Sequence, residues 1–232
     1  MATAIVLAGG LGTRLRNEVP DVPKPMAPIN GRPFLEYLLD YWVGQGITHF
    51  ILSIGYKSEV IVDHFGSVYK GTQVDYAIES SPLGTGGGLL LALEKVDDPD
   101  VLLLNGDTFF SVSLKELQLF YLNKNADCVF SLFRAAESGR FMGLDLDSQG
   151  RIFSLATDNK KIGRPANGGV YIIRCDAIRR LNLPQLTKIS LEDDIFLKML
   201  EGSFSVYGVK FDSTFIDIGI PFDYQRAAEL LG

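Results

Sequence analysis

Three glycines, an arginine and a lysine near the start of the chain have the types and spacing to hold a triphosphate. Gly9, Gly10 and Gly12 lack a Cβ, so the backbone can adopt positive φ and bring N–H groups close to an anion. Arg14 and Lys24 add fixed positive charge, the guanidinium through paired donors and the ammonium as a mobile point charge. The pattern predicts a phosphate-binding loop.

Two better-known glycine loops do not match this pattern. The dinucleotide-binding fingerprint needs a third glycine three positions after Gly12, where this chain has Leu15. The P-loop needs Lys and then Ser or Thr after its last glycine, where this chain has Thr13 and Arg14. The residues alone leave two interpretations open, namely another kind of phosphate loop and a glycine-rich turn with solvated charges.

Two aspartates lie where metal ligands are often found. Asp107 follows the apolar run 101–104 at the carboxyl end of a predicted central strand, and Asp217 follows the apolar residues Phe215 and Ile216. Mg²⁺ prefers hard oxygen donors and typically takes one or two carboxylates, with phosphate oxygens and water completing its shell. From the residues alone, turn capping by each aspartate remains the alternative.

Taken together, these segments resemble the signature of the sugar-1-phosphate nucleotidylyltransferases, and the resemblance covers essentially the whole chain. Within that family, the chain is most similar to the short guanylyltransferases that act on D-glycero-D-manno-heptose 1-phosphate. The motifs that carry the resemblance are residues 9–14, Pro23-Lys24-Pro25 with residues 26–30, residues 82–87, Asn105-Gly106-Asp107 with residues 108–110, Asn167-Gly168-Gly169 and residues 215–219.

The resemblance implies transfer of GMP from GTP to a sugar 1-phosphate, with release of pyrophosphate, for cell-surface polysaccharide synthesis. No general base is required, because a phosphate monoester with a second pKa of about 6 is already ionised near neutral pH. Arg14, Lys24 and Asp107 are the implied catalytic residues, with Arg14 near the departing pyrophosphate. Asp107 and Asp217 match the residues that hold Mg²⁺ in similar enzymes.

The resemblance also implies a nucleotide-binding set. Its members are Leu7, Ala8, Gly9, Gly10, Gly12, Thr13, Glu79, Pro82, Gly84 and Thr85. The Glu79 carboxylate can accept hydrogen bonds from guanine N1–H and N2–H₂, which adenine does not offer, but also from the uracil imide. This residue therefore leaves GTP and UTP open, and a solvated glutamate at a strand end is the structural alternative.

The implied sugar-phosphate set consists of Gly143, Lys160, Lys161, Asn167, Gly168 and Glu192. One departure matters: similar enzymes often carry Glu-Lys upstream of the asparagine, with the lysine on the sugar phosphate, whereas this chain has Thr157 and Asp158. Lys160, Lys161 or Arg164 can substitute from the same segment, and the sequence does not choose among them.

Three other functions compete with heptose-1-phosphate guanylyl transfer. One is a UTP-dependent or other nucleotidylyltransferase for a hexose or amino-sugar phosphate. Another is a catalytically silent regulatory homologue that binds nucleotide-sugars, which retention of Arg14, Lys24, Asp107 and Asp217 argues against. A glycosyltransferase of similar fold would usually carry Asp-x-Asp, and Asn105-Gly106-Asp107 lacks that form.

Length and composition favour a single domain, residues 1–232. A chain of 232 residues with 47% hydrophobic composition can build one α/β core without disulfides, and we expect Cys128 and Cys175 to be reduced and buried. His49 and His64 are isolated in sequence and are predicted to be structural or surface residues. The net charge of −6 argues against a nucleic-acid partner, and the absence of a long apolar run predicts a cytoplasmic protein without a membrane partner. The sequence is compatible with a homo-oligomer.

Apolar runs alternate with helical patterns, which predicts an α/β fold: a Rossmann-like three-layer sandwich with a mixed, mostly parallel central sheet. We expect strands at 3–7, 50–54, 74–78 and 101–104, and a helix after Pro33. Ser58 is the expected N-cap of a second helix. The middle section, 126–173, is predicted to form a smaller sheet region over the sugar half of the site.

Overall fold

Strands and helices alternate through most of the computed structural model, which describes residues 2–10, 12, 14–15, 18–135, 141–156 and 163–232. The strands in this part are β1 (Thr3–Leu7), β2 (Pro28–Ile29), β3 (Arg32–Pro33), β4 (His49–Ile54), β5 (Val68–Tyr69), β6 (Thr72–Ile78), β7 (Asp100–Asn105), β8 (Thr108–Phe110), β9 (Cys128–Arg134), β10 (Gly143–Leu146), β11 (Ile152–Ala156), β12 (Pro165–Arg174), β13 (Val206–Lys210) and β14 (Phe215–Asp217). The helices are α1 (Phe34–Gly44), α2 (Ser58–Phe65), α3 (Gly84–Leu93), α4 (Leu114–Lys124), α5 (Cys175–Arg180), α6 (Leu197–Glu201) and α7 (Pro221–Leu230). A 3₁₀ turn spans Lys24–Met26, and a π-type turn, Leu191–Phe196, leads into α6.

One mixed sheet organises the described part of the chain. Its strand order is β11-β10-β12-β7-β1-β4-β6-β5, with β9 beside β12 and β13 beside β9. The four central strands β7, β1, β4 and β6 run parallel, so their carboxyl ends meet at one edge. β12 runs antiparallel to both β7 and β9. The predicted mixed α/β fold is confirmed.

Alternate residues of β1 enter two different cores. Ala4 and Val6 pack into a core that also contains α1 and the Lys24–Met26 turn, whereas Ile5 packs into a core with α3. Successive side chains of a strand point to opposite faces, so the two cores lie on opposite sides of the sheet. The predicted three-layer arrangement follows from this alternation.

The middle section, predicted to form a smaller sheet region, is part of the main sheet. Strands β9 to β12 belong to the main sheet, because the ten-residue β12 pairs with β7 along its second half and with β9. Its Ala166 also pairs with Gly143 of β10. The sequence shows short alternating runs there, but their partners are set by tertiary pairing.

Three local predictions have clear outcomes. The second helix begins at Ser58, and the residue before it, Lys57, adopts a left-handed conformation without a side-chain cap, so the predicted Ser58 cap is wrong. Cys128 and Cys175 are both buried as expected, and burial raises the pKa of the Cys175 thiol to about 11. Among the described residues, no helix combines the length and hydropathy that crossing a membrane would require.

Candidate active site

A cavity of about 560 Å³ lies at the carboxyl ends of the four parallel strands. It contains every described residue of the predicted nucleotide-binding and metal-binding sets, together with the predicted catalytic residues. Its lining is Leu7, Ala8, Gly9, Gly10, Gly12, Arg14, Lys24, Pro25, Ser53, Glu79, Pro82, Gly84, Thr85, Asn105, Asp107, Lys188, Asp217 and Gly219. Thr13, a predicted nucleotide-binding residue, lies outside the described part of the chain.

The end of β1 is fixed to both neighbouring strands. The Ala8 N–H donates to the Ser53 carbonyl at 2.8 Å, and the Gly106 N–H donates to the Leu7 carbonyl at 2.9 Å. A Cβ on Gly106 would come within 2.6 Å of that carbonyl oxygen, so glycine allows the close approach. These contacts hold the start of the glycine loop and the Asp107 segment side by side.

The glycines of this loop serve two different purposes. Gly12 has a φ of 58°, and a Cβ there would lie 2.8 Å from the Lys24 Cβ, so the loop needs glycine to pack against the lysine. A Cβ on Gly10 would meet nothing within 4 Å. Gly10 lines the cavity, so the space that a side chain would occupy there is open to a ligand and is not filled by other residues.

Lys24 lies between the two predicted metal ligands. Its Nζ is 2.5 Å from Asp107 Oδ2 and 3.8 Å from Asp217 Oδ1, and its side chain is only 13% exposed. The 3₁₀ turn that begins at Lys24, with Pro25 in its first positions, holds the backbone of this residue. The ammonium group marks a position where both carboxylates favour a cation.

Pairing of two short strands brings the aspartates together although 110 positions separate them. β8 and β14 are antiparallel, with Asp217 opposite Thr108, and the Ile218 N–H donates to the Asp107 carbonyl at 3.0 Å. Asp217 Oδ1 also accepts the Gly219 N–H at 2.7 Å. Within the described residues there is no group of three or more metal-ligating side chains. Mg²⁺ usually takes only one or two protein carboxylates, with phosphate oxygens and water as its other ligands, so Asp107 and Asp217 fit this ion.

Glu79 connects the glycine loop to the start of α3. Its Oε2 accepts the Leu83 N–H at 2.9 Å, and a Cβ on Gly9 would lie 2.5 Å from Oε1. Burial raises the pKa of the Glu79 carboxyl above its usual value, while the Leu83 N–H and the Ser53 hydroxyl favour the charged form and oppose the rise. One carboxylate oxygen is therefore engaged by the protein, in addition to the predicted contact with the base.

The predicted sugar-binding residues of β10 and β12 do not line the cavity. Asn167 Nδ2 donates to the Tyr171 hydroxyl at 2.6 Å, and its Oδ1 accepts the Gly169 N–H at 3.1 Å. A Cβ on Gly168 would lie 2.5 Å from the Phe110 ring, and Gly143 is buried in the sheet. These residues hold the irregular pairing between β9 and β12 together.

The remaining acceptor predictions have different placements. Glu192 is outside the cavity lining but close to it, since its Oε2 accepts from the Thr85 hydroxyl at 3.3 Å. Arg164 forms an ion pair with Asp145 at 2.5 Å. Lys160 and Lys161 lie outside the described residues. Within the part described, Arg134 of β9 is an exposed cation near β12, because it lies opposite Pro165 of that strand.

Two polar residues of the cavity were missed in the sequence. Ser53 interrupts the buried strand β4 near its carboxyl end, which is a usable signal because that end meets the binding edge. Lys188 is an exposed lysine in a segment without a motif. The glycine run at the start of α3 indicates that another segment packs closely against this helix, but it does not show that this segment carries Lys188.

A second cavity, of about 300 Å³, shares Asp217 with the first. Its wall combines four phenylalanines with charged residues that include Asp212 and Asp223, and the rings of Phe133 and Phe215 stack there with centroids 3.7 Å apart. Arg134 and Arg226 also line it, and Arg226 pairs with Asp223 at 2.9 Å. A pocket with aromatic rings and charges of both signs thus lies on the far side of one predicted metal ligand.

Comparison with known proteins gives consistent matches over almost the whole chain. The profile of the nucleotidyl transferase family matches residues 3–231. The D-glycero-alpha-D-manno-heptose 1-phosphate guanylyltransferase of Aneurinibacillus thermoaerophilus is 40% identical over 229 residues, covering 98% of this chain and 97% of its own. The enzyme of the same name from Campylobacter jejuni is 39% identical over 223 residues, covering 96% and 97%. The crystal structure of HddC from Yersinia pseudotuberculosis complexed with GMP-PN superposes with a TM-score of 0.87 at 33% identity, covering 99% of each chain.

Proposed function

Because the chain belongs to the nucleotidyl transferase family, we propose that it transfers GMP from GTP to a sugar 1-phosphate and releases pyrophosphate. D-glycero-α-D-manno-heptose 1-phosphate is the acceptor that we propose, since the two bacterial relatives at about 40% identity are named for it. The GMP-PN complex of the Yersinia protein supports guanine as the base. The product would be GDP-heptose, a precursor for cell-surface polysaccharide made in the cytoplasm.

The reaction is a substitution at the α-phosphorus of GTP. An oxygen of the sugar phosphate forms a bond to that phosphorus while the bond to the β-phosphate bridging oxygen breaks, and the electron pair leaves with pyrophosphate. The attacking oxygen already carries negative charge near neutral pH, since its second pKa is about 6. The protein therefore has to align two anions and reduce their repulsion.

Arg14 and Lys24 supply the positive charge for the triphosphate. Arg14 is exposed at the mouth of the glycine loop, where a guanidinium can bind two oxygens of the departing pyrophosphate. Lys24 is held by Asp107 and Asp217, so its ammonium is fixed in direction before the ligand binds. A lysine fixed in this way can stabilise charge on the α-phosphate without reorganising during the reaction.

Asp107 and Asp217 are the residues that would hold Mg²⁺, beside the Lys24 ammonium. A bound Mg²⁺ would withdraw charge from the phosphate oxygens and help to orient them. Asp217 is kept in place by the Gly219 N–H, and Asp107 by its backbone bond to Ile218. The two carboxylates are therefore set by the β8–β14 pairing and not by the ligand.

Glu79, Pro82, Gly84 and Thr85 form the wall that we assign to the guanine base. The Glu79 carboxylate remains able to accept from guanine through Oε1, because the Leu83 N–H is bonded to Oε2. Burial of this carboxyl favours a partner that donates hydrogen bonds, which guanine does with N1–H and N2–H₂. The absence of a side chain at Gly9 keeps Oε1 next to the glycine loop.

The observation that carries the proposal is the single cavity that joins the glycine loop, Lys24 and both aspartates. The test is a pyrophosphate-release assay of the four nucleoside triphosphates against a panel of sugar 1-phosphates, with Mg²⁺ present. We expect the highest kcat/KM with GTP and the heptose 1-phosphate. Preference for UTP would overturn the guanylyl assignment, and no turnover with any pair would favour a regulatory homologue.

A further inference from the structure

Lys188 reaches the main cavity on a segment clamped to the start of α3. We call residues 187–191 the strap. The Ile189 N–H donates to the Leu83 carbonyl at 2.8 Å, and the Ile189 carbonyl accepts the Gly86 N–H at 2.9 Å. The Leu191 N–H donates to the Thr85 hydroxyl at 2.9 Å. Lys188 is the cavity-lining residue of the strap.

The glycines of α3 are required by this clamp. A Cβ on Gly84 would lie 2.6 Å from the Ile189 carbonyl oxygen, one on Gly86 2.6 Å from the Ile189 side chain, and one on Gly87 2.8 Å from the Thr187 carbonyl oxygen. The strap backbone therefore sits in the space that side chains would fill. An exposed lysine on a backbone held this tightly has a defined position at the cavity wall.

The cavity receives its described cations from both faces of the sheet. Arg14 and Lys24 adjoin Leu15 and Met26, which belong to the core on one face, whereas Ile189 beside Lys188 belongs to the core on the other. Lys24 is already paired with two aspartates. In an in-line substitution the attacking and leaving groups lie on opposite sides of the phosphorus, so cations on two sides match two anionic substrates.

Near β12, the exposed cation of the described residues is Arg134, which lines the second cavity and not the main one. Arg164 is paired with Asp145, and the positions where similar enzymes carry Glu-Lys are Thr157 and Asp158. Lys188 forms no ion pair within the described part of the chain, and its neighbour on the strap, Ser190, contacts Glu192. The strap thus lies between the base wall and the predicted sugar residue.

Building on the proposed function, we infer that Lys188 binds the phosphate of the sugar 1-phosphate acceptor and takes the place of the lysine missing from the Glu-Lys pair. The ammonium group offsets repulsion between this phosphate and the triphosphate, from the side opposite Arg14. It is a substrate-binding residue, so it acts mainly on acceptor affinity.

The test measures pyrophosphate release by the wild type, K188A and K188R, varying the heptose 1-phosphate at saturating GTP and then GTP at saturating acceptor. We expect K188A to raise the acceptor KM by about 10- to 100-fold, as expected for loss of a hydrogen bond to a charged group. The KM for GTP should stay within about twofold, and K188R should recover most of the acceptor affinity because it keeps the charge.

Three comparisons make the result specific. Lys198→Ala removes an exposed lysine of α6 outside the cavity and should change neither KM. Arg134→Ala, Lys160→Ala and Lys161→Ala remove the competing cations, and a larger effect on acceptor KM in any of them than in K188A overturns the inference. An unchanged acceptor KM in K188A, or an equal rise in its KM for GTP, does the same.

Folding and the proposed reaction are separated within the same experiment. Because Lys188 is exposed, the melting temperature of K188A should equal that of the wild type within error. Turnover of heptose 1-phosphate by the wild type tests the proposed reaction whatever the variants do. The ratio of variant to wild-type acceptor KM tests Lys188 alone, with any sugar 1-phosphate that the wild type accepts.

Discussion

The region that we propose for the donor and the region that we propose for the acceptor use the same residue types in opposite ways. In the donor half, Gly10 leaves empty space at the cavity, and Lys24 points its charge between two carboxylates. In the acceptor half, Gly168 leaves space that Phe110 fills, and Asn167 bonds to Tyr171 and to its own strand. Two glycines of the family motifs thus serve different purposes: Gly10 borders open space at the cavity, whereas Gly168 allows close packing against an aromatic ring.

Lys24→Ala tests the donor half most strongly. Loss of an ammonium group fixed near the reacting phosphate should lower kcat by about 10²- to 10³-fold, the usual effect of removing one preorganised donor. Lys115→Ala, at an exposed position of α4, is the matched control and should retain wild-type kcat. Initial rates of pyrophosphate release provide the measurement, and a near-normal kcat in the Lys24 variant would remove this residue from the mechanism.

Asp217→Asn tests whether the two carboxylates act as a metal site. Asparagine keeps the shape and the contact with the Gly219 N–H but removes the negative charge, so we expect the Mg²⁺ concentration for half-maximal rate to rise at least about tenfold. Asp212→Asn changes an exposed carboxylate of the neighbouring cavity and serves as the control. Equal Mg²⁺ dependence in both variants would contradict the assignment.

Alanine at Gly10 and at Gly168 tests the comparison directly. Gly10→Ala adds a methyl group to open space at the cavity, so the melting temperature should not change while the KM for GTP rises about tenfold through lost close approach. Gly168→Ala forces a methyl group against Phe110 and should destabilise the fold by about 1–3 kcal/mol. Thermal melts and steady-state kinetics on both variants give the result, and a stable Gly168 variant with a raised acceptor KM would show that Gly168 contacts the sugar.

Glu79→Gln has the smallest expected effect, a pH-dependent change in stability. Burial raises the pKa of Glu79 in the folded protein, so the folded state binds more protons than the unfolded state between the usual carboxyl pKa and the raised one. Wild-type stability therefore falls as pH rises through this interval, and glutamine removes that loss. The melting temperature of the variant relative to wild type should increase from pH 4 to 7.

The exposed Glu94 offers the control for this pH series. Glu94→Gln, at the end of α3, should show no such trend, because its side chain is solvated. A difference between Glu79→Gln and wild type that is constant across pH would mean that folding does not desolvate the Glu79 carboxyl.

The donor half could be predicted from sequence because phosphate binding restricts residue types and positions. Gly9 and Gly10 follow one apolar run that predicts a buried strand, and Asp107 follows a second such run. The glycines and the aspartate therefore lie at the edge of the sheet where the parallel strands end. The pairing of Asp107 with Asp217 came from the family resemblance. Their strands, β8 and β14, are three residues each and carry little pattern of their own.

The contacts within the proposed acceptor half could not be predicted from sequence, because tertiary packing decides which partners its polar groups bind. Asn167 follows the family motif, but whether its amide faces a sugar or Tyr171 depends on where β12 packs. The residues around Lys188 form no recognisable motif. The strap can be identified only from its contacts with the start of α3. Arg164 pairs with Asp145 of β10, a contact that the sequence does not reveal.

The clamp between the strap and α3 constrains how this protein can diverge. Gly84, Gly86 and Gly87 each lie within 3 Å of strap atoms once a Cβ is added, so a single change to alanine pushes the strap away from the cavity. Such a change can persist only together with a second one in residues 187–191. In related chains these two segments, about a hundred positions apart, should therefore vary as a pair.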